Sequence, residues 1–483
     1  MSRRITRIND LLVSSNFIRA IRESGYLSIA TALSELVDNS VQASATDVVV
    51  TINRDSADAL PEIVVEDNGI GMSKAELELC LRFGGSSRFD ARHSFGRFGM
   101  GLPAASLSQT RRVEVTAWRH YGPEYTVALD VDAIVAGADP ALVARRGSRS
   151  TSRSGCRVRW MQCDRIEYRR LAWLERSLHR DLGRVYRRFL ASGLTITING
   201  TPVKAVDPTL LTTKVEGATA HLAFDELFYE LDTSDGDTSV VTVKFAMLPV
   251  QRWHHLDNAT KRRIGIVGGG GVSILRAGRE IAHGWHLMGN KRKENYDDWW
   301  RCEIEFQPAL DEHFGITINK QSICPSVRLR EAIEPELESL ARLLNARVRQ
   351  AFEDVKFQTA AETSCQIAAA ADPDLPVIAS RERSGAIKYQ LEAGVLPMDA
   401  MFRSTLVRRT LNLTLNADHP AFVALYRPLQ TIEGEAAAEL RTSIELFLLS
   451  FARSAIQLER AGQSLDDLVQ VWGSTYGRML QKL

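Results

Sequence analysis

Two polar side chains, Glu35 and Asn39, lie four residues apart in a largely apolar segment near the start of the chain. They belong to the run IATALSELVDNSVQAS, whose apolar positions repeat at helical spacing. Residues four apart share one face of a helix, so the carboxylate and the carboxamide would reach the same small space. The carboxylate can take a proton from water, and the carboxamide offers a neutral oxygen to a metal ion. This spacing alone is not specific, because it also occurs on many surface helices.

A second set of residues follows two β-branched runs. The runs DVVVTI and EIVVE are bounded by turn residues and predict adjacent strands, and Asp67 comes at the end of the second. A carboxylate at a strand end can accept a hydrogen bond from an exocyclic amine. Gly69 and Gly71 carry no side chain, so a flat ring can lie against their backbone. For this motif alone, an ordinary D-N-G turn is the alternative interpretation.

A third, glycine-rich segment contains RFGGSSR and then GRFGMGLPAAS. The small residues that end it predict a helix, and the backbone N–H groups at its start can bind phosphate. No strand directly precedes this segment, and its glycine spacing is not that of a dinucleotide-binding fingerprint. The chain also lacks a G-x-x-x-x-G-K-[ST] motif. A Rossmann-type or Walker-type site is therefore not expected.

Taken in order, ELVDN, DNGIGM and GRFGMG resemble the three nucleotide-binding boxes of the GHKL ATPases. This superfamily includes gyrase B, the ninety-kilodalton heat-shock chaperones, histidine kinases and MutL. The resemblance covers roughly residues 20–205. It implies that Glu35 is the general base, that Asn39 binds Mg²⁺, and that Asp67 binds the adenine amine of ATP. It also implies ATP contacts from Gly69, Gly71, Met72, Gly84, Ser86, Ser87, Gly96, Arg97, Phe98, Gly99, Met100 and Gly101.

At Cys156 the family often has threonine, and a thiol there would weaken the usual hydroxyl bond near adenine. GHKL proteins that dimerise neutralise the γ-phosphate with a lysine from a following transducer domain, which has a βαβ core. The strand–turn–strand pattern at 271–281 resembles such a domain. The resemblance makes Lys320 the expected transducer lysine. A surface lysine is the alternative interpretation, and Lys291, Arg292 and Lys293 are the rival basic residues.

The length of 483 residues predicts two to four domains, and the resemblance implies an α+β fold class. Residues 1–205 are expected to form a GHKL (Bergerat) α/β sandwich ATPase domain, and residues 206–355 a βαβ transducer domain that closes on a long helix at 327–355. Residues 356–483 are expected to form a mostly α-helical C-terminal domain of unassigned role. A β-like stretch at 410–415 interrupts its helical pattern.

Lys and Arg total 60 and Asp and Glu total 59, a balance that excludes a globally basic nucleic-acid coat. Locally, residues 145–188 contain 14 arginines and four acids. This segment is interpreted equally well as a solvated helix face or as a phosphate-binding patch. The six cysteines show no metal-ligand spacing, and no apolar run is long enough for a membrane span. We expect a cytoplasmic protein with reduced thiols and no membrane partner.

The nucleotide boxes begin near residue 35, whereas histidine kinases carry them at the C-terminal end. The overall pattern is most similar to MORC ATPases and their bacterial relatives, with MutL next. The resemblance implies Mg²⁺-dependent ATP hydrolysis that orders a lid at 84–103 and closes a nucleotide-promoted homodimer on DNA, with a role in antiviral defence. The alternatives are a chaperone-like ATPase whose C-terminal region binds protein clients, a MutL-like repair ATPase, and a nucleotide sensor that does not hydrolyse ATP.

Overall fold

The computed structural model describes residues 14–26, 28–54, 56, 59–85, 99–138, 142–150, 153–168, 170–233, 236–316, 322–378, 386–397, 400–431 and 434–462. The chain divides into two compact units, Met1–Pro249 with Leu256–Asn345, and Val250–His255 with Ala346–Leu483. Within the described ranges, no helix combines the length and the apolar content that crossing a membrane requires. The fold is mixed α+β, as predicted, with a large mixed sheet and a C-terminal region rich in helix.

The first sheet has eight strands and carries the predicted nucleotide motifs. The strands are β1 (Asp47–Asn53), β2 (Glu62–Asp67), β3 (Arg112–Trp118), β4 (Pro123–Asp130), β5 (Arg145–Ser150), β6 (Gly155–Met161), β7 (Thr195–Ile198) and β8 (Thr201–Pro202). They lie in the order β5-β4-β3-β6-β2-β1-β7-β8. The two strands predicted from β-branched runs are confirmed as the antiparallel pair β1 and β2, with Val48 opposite Asp67. Strand β7 extends the sheet by pairing in parallel with β1.

Helices pack on one face of this sheet. They are α1 (Ser14–Ser24), α2 (Ile29–Gln42), α3 (Lys74–Cys80), α4 (Gly101–Gln109), α5 (Val131–Val135), α6 (Leu171–Val185) and α7 (Arg187–Ala191). Alternate strand residues such as Val48 and Val50 share a buried core with Leu33 and Val37 of α2. Helix α2 begins where the Ser28 hydroxyl accepts a hydrogen bond from the Thr31 N–H. The helix predicted for this segment is thereby confirmed, and it packs against the sheet.

The second sheet follows in the same compact unit. Its strands are β9 (His221–Leu222), β10 (Leu227–Asp232), β11 (Thr238–Met247), β12 (Gly271–Arg276), β13 (Arg279–Gly284) and β14 (Trp300–Phe306), and the short helices nearby in sequence are α8 (Val250–Trp253), α9 (Asn258–Arg263) and α10 (Asp311–Phe314). The main order is β10-β11-β14-β12-β13. The strand–turn–strand prediction at 271–281 is confirmed as the β12–β13 hairpin. The parallel pair is β12 and β14, and the chain between them forms β13 and a 3₁₀ turn at Asn295–Trp299.

The long predicted helix is α11 (Val327–Ala371), which continues well beyond residue 355 and contributes residues to both units. The second unit then contains β15 (Lys388–Gly394), β16 (Phe402–Val407), β17 (Thr410–Asn416), α12 (Arg427–Thr431) and α13 (Glu435–Ala461). The β-like stretch expected at 410–415 is the central strand of the sheet β15-β17-β16. Inside this unit, Arg453 of α13 donates from Nε to the carboxylate of Asp372 at 3.0 Å.

Candidate nucleotide site

Glu35 lies on the sheet-packed helix α2, where α1, α2 and α4 meet. Its residue surface is 4% exposed, and the Tyr26 hydroxyl donates to its Oε2 at 3.3 Å. The backbone at the start of α4 lies against the same carboxylate, because a Cβ added at Gly101 would stand 1.9 Å from Glu35 Oε1. Asn39 follows one turn later on α2 and is half-buried. The structure therefore places the predicted base and the predicted metal ligand on one helix, beside the N-terminus of α4.

Asp67 ends β2, and its carboxylate is held by groups of the protein on both oxygens. The Ser40 hydroxyl of α2 donates to Oδ2 at 2.9 Å, and the Gly69 N–H donates to Oδ1 at 2.9 Å. Burial raises the pKa of Asp67, and these hydrogen bonds partly offset that effect. A carboxylate offers about four acceptor positions, more than these protein donors use. The carboxylate is therefore fixed in orientation and can still accept a hydrogen bond from a ligand amine.

The loop after Asp67 requires glycine at one point because its backbone approaches neighbouring strands. Gly71 has a φ of +67°, and an added Cβ would lie 2.0 Å from the Trp118 carbonyl oxygen. Met72 beside it is half-buried and packs against the main core. The turn interpretation of D-N-G applies to Asn68, whose Oδ1 accepts from the N–H groups of Thr46 and Asp47. The turn bond from the Gly69 N–H and the predicted ligand contact both use Asp67, whereas Asn68 ties the loop to the start of β1.

The two described ends of the predicted lid are joined to each other. The Gly84 N–H donates to the Gly99 carbonyl at 3.1 Å, and both glycines have positive φ. Ser86, Ser87, Gly96, Arg97 and Phe98 lie outside the described residues. Helix α4 begins directly after this segment, and its N-cap residue Met100 contributes no side-chain hydrogen bond. Backbone N–H groups of the first turn of α4 therefore have no side-chain cap from that position.

Cys156 lies on β6 directly opposite Asp67 in the β2–β6 pairing. Burial raises the pKa of its thiol, and the nearby Asp67 carboxylate acts in the same direction. The sulfur is therefore a protonated thiol at neutral pH. The thiol thus lies beside the carboxylate that is predicted to bind adenine. Its own contact with adenine stays a prediction.

The predicted transducer lysine, Lys320, lies outside the described residues. Its rival Lys291 is buried, and its Nζ lies 2.7 Å from the carboxylate of Asp297. The Lys291 ammonium also lies 5.0 Å from the ring centroid of Trp285. Lys291 therefore forms a buried ion pair, whereas Arg292 and Lys293 are exposed.

A buried ion pair beside Glu35 was not predicted from the sequence. Arg279, at the start of β13, donates from Nε to Oδ1 of Asp38 at 2.7 Å. The Tyr186 hydroxyl lies 2.6 Å from the same oxygen and 2.6 Å from the Ser34 carbonyl oxygen. The available signal was Asp38 itself, an acid within ELVDN on an otherwise buried helix. Its partner could not be found by spacing, because the two residues are 241 positions apart.

The arginine-dense segment at 145–188 is partly neutralised by acids, most of them on other elements. Ion pairs join Arg157 to Glu66, Arg159 to Glu62, Arg180 to Asp181, Arg184 and Arg187 to Glu280, and Arg187 and Arg188 to Glu303. Exposed arginines remain at the sheet edge, including Arg145 and Arg146 of β5. The local excess of charge is therefore smaller in the folded protein than in the sequence.

Comparison with known proteins agrees with this geometry. Residues 27–151 match the family described as histidine kinase-, DNA gyrase B-, and HSP90-like ATPase. The chain is 30% identical over 162 residues to the DNA mismatch repair protein MutL of Shewanella woodyi, a match that covers 30% of this chain and 25% of that protein. It is 36% identical over 102 residues to a putative type II restriction enzyme, HgiDII, of Herpetosiphon aurantiacus, which covers 20% of this chain and 16% of that enzyme.

MutL of Rickettsia canadensis is 34% identical over 86 residues, covering 17% of this chain and 14% of that protein. The chain thus spans a quarter or less of the length of each of these three relatives. The family match at residues 27–151 contains Glu35, Asn39, Asp67 and the start of α4. Over residues 27–151, the chain is thus similar to the GHKL ATPases.

Proposed function

We propose that this protein hydrolyses ATP to ADP and phosphate in a Mg²⁺-dependent reaction, with Glu35 as the general base. The observation that carries the proposal is the burial of the Glu35 carboxylate directly against the N-terminus of α4. A helix N-terminus attracts phosphate, so a γ-phosphate bound there would place its attacking water near this carboxylate. Phosphoryl transfer depends mainly on such positioning and on neutralising charge.

The other residues then have distinct tasks. Glu35 accepts a proton from the attacking water, and the Tyr26 hydroxyl orients its carboxylate. The Asn39 carboxamide oxygen suits Mg²⁺, a hard ion that takes few protein ligands and completes its shell with water and phosphate oxygens. When bound, the ion would neutralise phosphate charge. Asp67 accepts a hydrogen bond from the adenine amine. Gly69 and Gly71 leave room for the adenine ring, and Met72 contacts it.

Beyond the reaction, we propose a cytoplasmic, DNA-acting clamp of MORC-like type that closes as a nucleotide-promoted homodimer, with a role in defence against foreign DNA. The support is that the similar proteins named above are a DNA mismatch repair protein and a putative restriction enzyme. Lys320 remains the proposed γ-phosphate ligand, from a transducer domain at 206–355. Residues 356–483 are proposed to provide a further binding surface.

Turnover of ATP by the wild type and by Glu35→Ala tests the reaction. The variant should bind a non-hydrolysable ATP analogue and turn over about a hundredfold more slowly, because the base is lost. Glu23→Ala is the matched control, since Glu23 is an exposed carboxylate on α1. Equal turnover by wild type and Glu35→Ala would reject the base assignment.

The same ATP-turnover assay with added duplex DNA tests whether the protein acts on DNA. Salt-sensitive DNA binding and stimulation of turnover are expected for a clamp. If DNA neither binds at low salt nor changes turnover, while an unfolded protein client does change it, the chaperone-like alternative replaces the DNA proposal.

A further inference from the structure

We propose that Arg279 of the second sheet is a positioning residue for ATP hydrolysis, because it fixes helix α2 through Asp38. The inference rests on the proposed function and adds a residue outside the nucleotide motifs. The Arg279 side chain is 6% exposed and that of Asp38 is 1% exposed, and their atoms approach to 2.7 Å. Charges so deeply buried are stable only with close partners, so this pair strongly restricts where Asp38 can lie.

The restriction reaches the base because Asp38 and Glu35 belong to one helix. Asp38 lies three residues after Glu35 and immediately before Asn39. Within a hydrogen-bonded helix these positions move together, about one turn apart. A shift of the Arg279 guanidinium would therefore displace the base and the proposed metal ligand as a unit. The Tyr186 hydroxyl, packed on the Ser34 carbonyl and the Asp38 carboxylate, joins the α6–α7 corner to the same helix.

The second sheet fixes Arg279 from the other side. The next residue, Glu280, is buried and forms ion pairs with Arg184 at 2.8 Å and Arg187 at 2.7 Å. Arg187 also donates to the Ser273 hydroxyl of β12 at 2.8 Å and pairs with Glu303 of β14 at 2.7 Å. The β12–β13 hairpin is thus anchored to α6 and α7 at one point and to α2 at the adjacent residue. A movement of the hairpin would therefore shift α2 and, with it, Glu35.

The electrostatics support a tight contact in which both groups are charged. Burial alone would lower the pKa of Arg279, but the charge of Asp38, with smaller effects from Tyr186 and Glu35, raises it overall. Arg279 thus remains a cation in the buried site. Its planar fork can bond Asp38 while staying beside Tyr186, a geometry that the single ammonium of lysine reproduces poorly.

The test compares Arg279→Met and Arg279→Lys in the full chain by steady-state ATP turnover and by affinity for a non-hydrolysable ATP analogue. Arg279→Met should lower kcat about 10- to 100-fold, the effect of a misplaced catalytic group. Analogue affinity should fall by a smaller factor than kcat, because Asp67 lies on β2 and keeps its position while α2 shifts. Arg279→Lys should give an intermediate kcat, since it keeps the charge without the fork.

Arg276→Met is the matched control. Arg276 is a buried arginine of the same hairpin, but it pairs with Asp311 at 2.6 Å rather than with α2. Its kcat should stay within about twofold of wild type. If Arg279→Met shows the same kcat as Arg276→Met, or loses analogue affinity with kcat unchanged, the positioning role is rejected.

A double variant keeps the test decisive if Arg279→Met does not fold. Asp38→Asn with Arg279→Met leaves no unpaired buried charge, and such neutral replacements are often tolerated. Its kcat should fall as far as that of a single variant, because both changes remove one contact. A wild-type kcat in the double variant would overturn the inference. Absence of Glu35-dependent turnover in the wild type would instead reject the proposed function.

Discussion

Position 101 is the first residue of α4, and alanine is a better helix former than glycine. The added Cβ would nevertheless stand 1.9 Å from Glu35 Oε1 and 2.5 Å from Cδ. The carboxylate or the start of the helix would have to move. Steric contact with the base therefore outweighs propensity at this residue.

We accordingly predict that Gly101→Ala lowers kcat at least about tenfold, because the base is displaced from the start of α4. Parallel measurements of turnover and thermal unfolding check this. Gly122→Ala is the control: an added Cβ there meets its nearest atom at 3.2 Å and lies far from the base in sequence. Wild-type turnover by Gly101→Ala would show that the carboxylate tolerates displacement.

At the residue scale, the sequence predicted the positions of those side chains that local spacing places on a helix or at a strand end. Glu35 and Asn39 are one helical turn apart, and Asp67 ends a β-branched strand, so short-range periodicity places them. The Asp38–Arg279 pair depends on the packing of two sheets, which no local pattern encodes. Tyr26 was missed for a related reason: it lies outside α2, and no helical spacing relates its hydroxyl to Glu35.

Among the strands, β13 carries His283, a histidine whose protonation should make the stability of the fold depend on pH. Burial, with the charges of Arg184, Arg301 and Arg187, lowers the pKa of His283 from 6.5 to about 4, while Glu280 acts in the opposite direction. The folded protein thus binds this proton less readily than the unfolded chain. The resulting stability is complete above pH 6.5 and is lost progressively as the pH falls towards 4.

His283→Gln should therefore show a smaller fall in melting temperature than wild type between pH 7 and pH 4.5, as measured by thermal unfolding. The remaining fall includes His286, whose pKa burial also lowers. His221→Gln is the control, since His221 is exposed on β9 and leaves His283 intact. Identical pH profiles for wild type and His283→Gln would contradict the assignment.

The elements differ in how far sequence predicted them. Strand β17 was predicted because TLNLTLN alternates cleanly, and it is the central strand of its sheet. Its neighbours β15 and β16 are edge strands that carry charged or polar residues at most of their exposed positions, and they were missed because few apolar residues mark them as strands. Helix α11 passes beyond residue 355 because its alanine-rich continuation has high helix propensity.

For the whole molecule, the net charge of +1 includes an arginine-dense segment at 145–188. How strongly this segment attracts phosphate depends on which of its arginines the fold pairs with acids. Several arginines of this segment pair with glutamates on β2, β13 and β14. A charge already paired contributes less to a phosphate contact than a solvated one. Any phosphate-binding role should therefore reside in exposed members such as Arg145 and Arg146.

We predict that Arg145→Ala with Arg146→Ala flattens the dependence of log K on log salt for DNA by up to about 1.8, the value for two phosphate contacts. Titrations at several salt concentrations measure this slope. Arg112→Ala with Arg159→Ala removes the same charge from arginines paired with Glu114 and Glu62, and should change the slope less. Equal slopes in both double variants would exclude the β5 edge as the DNA contact.

The contact between Gly101 and Glu35 also has an evolutionary consequence. While the carboxylate occupies its buried position, selection can admit no side chain at position 101 without first moving the base. A lineage that lost the acid to a smaller residue would free that space, and alanine would then be favoured at the helix start. In an alignment of relatives, these two positions should therefore change together, and under the proposed function a larger residue at 101 is expected in chains that do not hydrolyse ATP.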